Sequence, residues 1–242
     1  MSKQNDQIYA NQQVSNPFKF DQKVAAVFPD MIKRSVPGYQ NIIHNIQKLA
    51  GIYVTKNSVC YDLGCSLGAA SLALSHGSQH SGVKIIAVDN SAAMIERCAT
   101  NISGFKHQTP IELIQADIQH LTINNASMVV LNYTLQFIPQ TLRRDVLANI
   151  YQGMNHGGLL LLSEKIIFSD ETVNQLMIEL HHQFKRENGY SELEISQKRN
   201  ALETVLVPET QSSHLQRLKD IGFSHVSGYQ QQLNFASFIA IK

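Results

Sequence analysis

The chain has 242 residues, of which 43% are hydrophobic and 16% are charged. This composition is typical of a globular protein with a buried core and excludes an intrinsically disordered chain. The 20 Lys and Arg residues balance the 19 Asp and Glu residues. Because the basic residues form only scattered pairs, the sequence predicts no direct binding of RNA or DNA.

The cysteines and the N-terminus indicate the compartment. Cys60, Cys65 and Cys98 form neither a CxxC pair nor a zinc-ligand spacing, which predicts a reducing environment and no metal. The polar residues 1–20 predict a flexible tail and not a signal peptide. No apolar run reaches the ~18 residues that span a membrane. We therefore expect a cytoplasmic protein without a membrane segment.

Helical periodicity begins the predicted fold. Apolar residues recur at helical spacing from Asp21 to Ala50, with a turn at Pro37-Gly38. After Gly51, short apolar runs alternate with helical stretches that begin near Ala69, Ala92 and Leu142. The runs predict five strands, at 58–63, 83–88, 111–115, 128–132 and 159–163. This alternation predicts parallel βαβ units and a doubly wound sheet.

The C-terminal part departs from this alternation. Residues 169–210 are polar and mostly helical, with a break at Asn188-Gly189-Tyr190. Two final strands, at 225–229 and 235–241, are close enough in sequence to pair antiparallel. We therefore predict a single α/β domain over 1–242. Its sheet is the doubly wound, seven-stranded, Rossmann-like sheet of class I methyltransferases, with N-terminal helices and a helical insertion before the last two strands.

The most informative segment is VCYDLGCSLGAA at 59–70. An apolar strand that contains an acid runs into a tight turn of small residues, and a helix follows. Gly64 permits the turn, Ser66 lets a ligand approach the backbone, and Gly68 lets the helix pack against the strand. Dinucleotide sites, nucleoside sites and plain βα turns all contain such a segment.

Polar side chains follow the next three strands. Asp89 could accept hydrogen bonds from ribose hydroxyls, since the residues after it could cap the helix. Asp117 could accept from an adenine amino group while Ile118 packs on the ring, and Asn132 ends the fourth strand. The alternatives are a helix cap for Asp89 and a loop aspartate for Asp117. Open α/β sheets bind ligands at the carboxyl ends of their strands, so together these residues predict a nucleoside site.

The glycine pattern bears on the choice between NAD and S-adenosylmethionine. The turn reads Gly64-x-Ser66-x-Gly68 and lacks the triple glycine that presents helix N–H groups to a pyrophosphate. Asp117 and the final pair of strands also favour S-adenosylmethionine. An NAD enzyme is the minor alternative.

Longer strings carry a more specific signal. They are VFPDMI at 27–32, SVPGY at 35–39, YDLGCS at 61–66, DNS at 89–91, NASMVVLN at 125–132, LSEK at 162–165, HQFKR at 182–186 and NGYSELE at 188–194. In these strings the chain resembles the family of carboxy-S-adenosyl-L-methionine synthases. The resemblance runs from about Phe20 to the C-terminus.

This resemblance implies an enzyme with a class I methyltransferase fold that does not transfer a methyl group. Such an enzyme converts S-adenosyl-L-methionine and prephenate to carboxy-S-adenosyl-L-methionine and phenylpyruvate, without a metal. A separate tRNA carboxymethyltransferase then uses the product for tRNA wobble-uridine modification. The resemblance also implies a homodimer. The nucleoside-binding positions that it implies are Tyr39, Gly64, Cys65, Ser66, Asp89, Asn90, Asp117, Ile118, Asn132 and Arg199.

Several roles stay open at this stage. The Arg199 guanidinium suits the new carboxylate, within its own subunit or across a dimer, and a solvated helix arginine is its alternative. Tyr133, Lys165 and Tyr190 are candidates for the pocket of the second substrate. An ordinary small-molecule methyltransferase is the alternative enzyme, and a nucleoside carrier is the non-enzymatic one. No catalytic acid or base is assigned.

Overall fold

The computed structural model describes residues 5–11, 17–106 and 109–242. Its strands form one mixed sheet. They are β1 (Val59–Leu63), β2 (Lys84–Asp89), β3 (Ile111–Gln115), β4 (Ala126–Asn132), β5 (Met154–Ile167), β6 (Glu209–Thr210), β7 (His225–Gln232) and β8 (Phe235–Ile241).

The strand order is β3-β2-β1-β4-β5-β8-β7, and β6 pairs with β5. The first five strands are parallel to one another, and β8 is antiparallel to both β5 and β7. This confirms the predicted doubly wound sheet that ends in an antiparallel pair. β6 lies inside the predicted helical insertion, and its two residues are too short for a period-two pattern to reveal.

Eight helices lie among the described residues. They are α1 (Gln22–Ser35), α2 (Tyr39–Tyr53), α3 (Ala69–Gly77), α4 (Ala92–Ser103), α5 (Gln140–Gly153), α6 (Glu171–Glu187), α7 (Glu192–Leu202) and α8 (Gln211–Ile221). The predicted break at Asn188-Gly189-Tyr190 separates α6 from α7. Gly157 lies inside β5 and has a backbone in the left-handed region, at φ +75°.

Alternate residues of the central strands face opposite layers of helices, as the period of a strand requires. Tyr61 and Val129 pack towards α5 and α8, whereas Cys60 and Met128 pack towards α2 and α3. Both faces are therefore covered, which explains why these strands read as continuous apolar runs. Helices α1, α6 and α7 supply further walls near the carboxyl ends of the strands.

The polarity of residues 1–20 predicts a flexible tail. Where the structure describes this segment, Asp6, Tyr9 and Phe18 are buried. The groups that hold Asp6 lie up to 192 positions away along the chain, so local polarity alone does not reveal them. Residues 1–4 and 12–16 lie outside the described residues.

Asp6 is the centre of a buried polar network. Its carboxylate accepts a hydrogen bond from the Tyr190 hydroxyl and lies 3.5 Å from the Lys198 ammonium. The Arg34 guanidinium donates to the backbone carbonyl of Asp6 at 3.1 Å and stacks over the Tyr190 ring, 3.8 Å from its centroid. The network therefore ties the N-terminus to α1 and α7.

We expect Asp6→Ala to lower the free energy of unfolding by about 3 kcal/mol, because removing one partner of a buried ion pair leaves the other charge uncompensated. Urea unfolding followed by circular dichroism measures the change. The control is Asp145→Ala, since Asp145 is exposed on α5. Equal unfolding midpoints for the two variants would contradict a structural role for Asp6.

Candidate functional site

The carboxyl ends of β1, β2 and β4 open into a cavity of about 380 Å³, a volume typical of small-molecule sites. Helices α1, α6 and α7 also contribute to its walls. Nine of the ten predicted nucleoside-binding residues line it. They are Tyr39, Gly64, Cys65, Ser66, Asp89, Asn90, Asp117, Ile118 and Asn132.

The turn after β1 is held in a conformation that requires small residues. Gly64, Ser66 and Gly68 all have positive φ, at +81°, +50° and +84°. A Cβ atom at Gly64 would lie 2.2 Å from the Oγ1 atom of Thr134, so this position also has no room for a side chain. The turn thus exposes backbone to the cavity, as the small-residue pattern predicts.

Asp89 links this turn to the end of β2. Its carboxylate accepts hydrogen bonds from the backbone N–H groups of Ser66 and Ser91, each at 2.9 Å. Burial raises the pKa of Asp89, and these two hydrogen bonds oppose the rise. Ser91 caps α4 by accepting from the backbone of Met94. Asp89 therefore does not cap α4, and each of its oxygens keeps a lone pair for a ligand.

Asp117 has a local structural task. Its carboxylate caps a short 3₁₀ helix, Ile118–His120, by accepting from the backbone N–H of Gln119 at 2.9 Å. The Gln119 side chain also donates to it. The loop-aspartate alternative is thus observed, although Asp117 lines the cavity as well.

Two buried polar atoms at the end of β4 lack a hydrogen-bond partner among the described residues. They are the Oδ1 atom of Asn132 and the hydroxyl of Tyr133. Both residues line the cavity, and an unpaired buried polar atom costs free energy. These atoms are therefore positioned to bind a ligand.

Cys65 lines the cavity as a buried thiol. A hydrogen bond with Cys98 and burial raise the pKa of this thiol, and the thiolate is the reactive form of cysteine. The surroundings of Cys65 therefore disfavour its reactive form.

Arg199 is the one predicted residue that the cavity does not include. It lies on α7 with an exposed side chain, whereas its neighbour Lys198 is buried and lines the cavity. Successive helical residues point about 100° apart, so only one of the pair can face inward. The structure therefore does not bring Arg199 together with the other nine residues of its own chain.

Sequence reasoning missed most of the basic residues that line the cavity. Three lysines line the cavity together with His181. They are Lys165, Lys185 and Lys198, and we call them the lysine cluster. Only Lys165 was predicted as a candidate for the pocket of the second substrate. The available signal was the spacing, because His181 and Lys185 are four residues apart on α6, at the positions that the helix buries.

Burial lowers the pKa of the basic groups that line the cavity. It lowers the pKa of Lys185 to about 7 and that of Lys198 to about 8, although Asp6 partly opposes the latter shift. Burial and the nearby lysines lower the pKa of His181 to about 2. The neutral His181 ring lies 2.8 Å from the carbonyl oxygen of Ser35, to which it donates.

The loop after β4 is fixed by a second buried network. The Glu164 carboxylate accepts from the backbone N–H groups of Leu135 and Gln136, at 3.0 and 2.8 Å. The Arg143 guanidinium donates to the carbonyl of Gln136 and to the Glu209 carboxylate. Burial raises the pKa of Glu164 to about 8. The network holds Gln136 and its neighbours against the cavity.

The acidic and basic groups of the cavity lie on different elements. Asp62, Asp89 and Asp117 belong to β1 and to the ends of β2 and β3, whereas the lysine cluster belongs to β5, α6 and α7. We call the three aspartates the acidic wall. One side of the cavity therefore suits a cationic ligand and the other suits an anion.

Comparison with known proteins places this fold in a class. The family model "Methyltransferase domain" matches residues 60–158. The structure of human N-acetylserotonin methyltransferase in complex with SAM is 14% identical and has a TM-score of 0.60. The match covers 91% of this chain and 55% of that longer one, and it bears on the fold alone. The fold is that of the class I S-adenosylmethionine-dependent methyltransferases.

Within that class, two relatives are similar along their whole length. The carboxy-S-adenosyl-L-methionine synthase of Shewanella loihica is 54% identical over 244 residues, with 100% of both chains covered. That of Pseudoalteromonas translucida is 54% identical over 237 residues, with 98% of both chains covered. The chain belongs to the carboxy-S-adenosyl-L-methionine synthase family and is an enzyme.

Two other features are absent from the described residues. None of their helices has the length and apolarity to cross a membrane. Within the same residues, no three His, Cys, Asp or Glu side chains are grouped as metal ligands.

We expect Gly64→Ala to reduce both stability and nucleoside binding, because the new methyl group would overlap Thr134. The matched control is Gly157→Ala, which has a similar positive φ but no atom within 4 Å of the new Cβ. Overpacking should cost roughly 1–3 kcal/mol more at Gly64 than at Gly157. Urea unfolding and calorimetric titration with S-adenosylmethionine measure the two effects. Equal losses for the two variants would show that only backbone strain matters.

Proposed function

We propose that this enzyme converts S-adenosyl-L-methionine and prephenate to carboxy-S-adenosyl-L-methionine and phenylpyruvate. The observation that carries the proposal is the single cavity in which an acidic wall and a lysine cluster coexist. S-adenosylmethionine carries a sulfonium cation and an adenosine, and prephenate carries two carboxylates. The relatives that match over nearly their full length are carboxy-S-adenosyl-L-methionine synthases, which supports the carboxylated product.

The acidic wall fits the nucleoside substrate. Asp89 has lone pairs available for the ribose hydroxyls, and the Gly64–Ser66 turn lets the ligand approach the backbone. Ile118 is buried beside Asp117 and offers an apolar surface for the adenine ring. The unpaired Oδ1 atom of Asn132 would gain a partner when the ligand binds.

The lysine cluster fits the second substrate. Three ammonium groups beside the acidic wall bring a dianion close to the sulfonium without a metal. In a closed cavity these charges interact more strongly than in water. The protein's task in this reaction is therefore to position two oppositely charged molecules and to exclude water.

The reaction balances without a protein base. Prephenate loses carbon dioxide and hydroxide as its ring becomes aromatic, and phenylpyruvate remains. The hydroxide takes one proton from the sulfonium methyl group and becomes water. The resulting carbanion forms a bond to the carbon dioxide, which gives the carboxymethyl group. This order requires that carbon dioxide stays in the cavity, which its mostly apolar side chains favour.

The proposal includes a homodimer. Arg199 is exposed and lies outside the cavity of its own chain, so the partner's Arg199 is our candidate for the anchor of the new carboxylate. A guanidinium suits this task because it binds a carboxylate through two parallel hydrogen bonds.

We propose that the product passes in the cytoplasm to a separate tRNA carboxymethyltransferase, without direct contact between this enzyme and the tRNA.

Incubation of the purified chain with S-adenosylmethionine and prephenate tests the reaction. We expect phenylpyruvate and carboxy-S-adenosylmethionine in equal amounts, measured by mass spectrometry. Prephenate labelled with a carbon isotope in its ring carboxylate should transfer the label to the nucleoside, because that group leaves as carbon dioxide. Release of S-adenosylhomocysteine with a methylated acceptor would instead establish an ordinary methyltransferase and overturn the proposal.

A further inference from the structure

Two lysines of the cavity carry charge without a counter-charge. Lys185 is buried, and all the charged groups that affect it are cations, namely Lys198, Lys165 and Arg199. Lys165 is also placed in the cavity wall, where burial alone lowers its pKa. A buried ammonium group is costly unless it is paired. The stability of the fold therefore does not explain why lysines occupy positions 165 and 185.

Asp6 and Glu164, which adjoin Lys198 in space and Lys165 in sequence, are already engaged. Asp6 pairs with Lys198, whose ammonium also donates to the hydroxyl of Ser35 at 2.9 Å. Glu164 accepts two backbone N–H groups of the loop after β4. Among the described residues, neither carboxylate is left to pair with Lys165 or Lys185. A bound anion would supply the missing negative charge.

The charge of the cluster selects the ligand. Three ammonium groups and the single carboxylate of Asp6 leave two positive charges when every group is ionised. His181 adds none, because its pKa is far below neutrality. A dianion matches this charge, whereas a monoanion leaves one buried ammonium group uncompensated.

We propose that Lys165 and Lys185 bind the two carboxylates of the dianionic second substrate, while Asp6 compensates Lys198. This assignment rests on the proposed function and adds the residues that hold prephenate in it. It also explains product release. Phenylpyruvate has a single carboxylate, so the cluster binds it less well than the substrate from which it forms.

Binding of the dianion should also take up protons. In the free protein the pKa of Lys185 lies at about 7, so the residue is partly neutral near that pH. Two carboxylates beside Lys185 favour its charged form and raise this pKa. The charged groups that face it from α6, α7 and β5 are otherwise cations, so the proton is taken up by the lysine cluster. Binding heats in buffers of different ionisation enthalpy measure this uptake.

The test uses the full chain saturated with S-adenosylhomocysteine, which has no methyl group to react. Prephenate is titrated into this complex by calorimetry. Lys185→Met should raise the dissociation constant for prephenate on the order of 30-fold or more and abolish the proton uptake. Lys185→Arg, which keeps a cation, should restore part of the affinity. The control is Lys48→Met, because Lys48 is exposed on α2.

A stability measurement guards against a misfolded variant. Protonation of Lys185 costs stability in the folded, ligand-free chain, since its pKa is below the ordinary lysine value. This cost is fully present below pH 7 and fades in alkaline buffer, where the unfolded lysine also loses its proton. Lys185→Met should therefore raise the melting temperature, and the gain should be larger below pH 7 than in alkaline buffer. Lys48→Met should not change it.

The outcomes separate the two proposals. If the wild type makes the carboxylated product but Lys185→Met binds prephenate equally well, the lysine assignment is wrong and the reaction stands. If the wild type binds prephenate through Lys185 but makes no carboxylated product, the assignment stands and the reaction is wrong. If the wild type does not bind prephenate, both are wrong.

Discussion

Buried charge has to be compensated, and this constraint explains how the cavity is built. The acidic wall is partly compensated by backbone N–H groups and hydroxyls, as in the hydrogen bonds that Asp89 accepts from Ser66 and Ser91. Within the lysine cluster, only Lys198 has a carboxylate partner in the described chain. In our proposal the two substrates complete the sum of charges in the cavity, a cation on one side and a dianion on the other.

The sheet makes this division possible. The parallel strands bring the ends of β1, β2 and β3 to one edge, where short polar side chains meet. Crossing to β5 on the other side of β4 leads to Lys165, while α6 and α7 add the remaining lysines. The N-terminal segment completes the arrangement through Asp6. The added helices thus place Lys185 and Lys198 beside the carboxyl ends of the strands of a methyltransferase sheet.

The sheet and the nucleoside side could be predicted because their signals are local. Each signal spans only a few consecutive positions, whether it is the apolar run of a strand, the small residues around Gly64 or an acid at the end of a strand. The lysine cluster could not, since its members come from three elements and their burial depends on tertiary packing. Lys198 and Arg199 show the difficulty, because the sequence gives no register to decide which one points inward. Asp6 was hidden for the same reason, as its partners on α1 and α7 are distant in sequence.

The most direct test of the account is mass spectrometry of the small molecule that the purified enzyme releases on denaturation. A cavity with both an acidic wall and a lysine cluster should retain a nucleoside that combines a sulfonium with an extra carboxylate. The account predicts a species heavier than S-adenosylmethionine by one carbon dioxide. Recovery of S-adenosylmethionine or S-adenosylhomocysteine alone, from cells able to make prephenate, would contradict it.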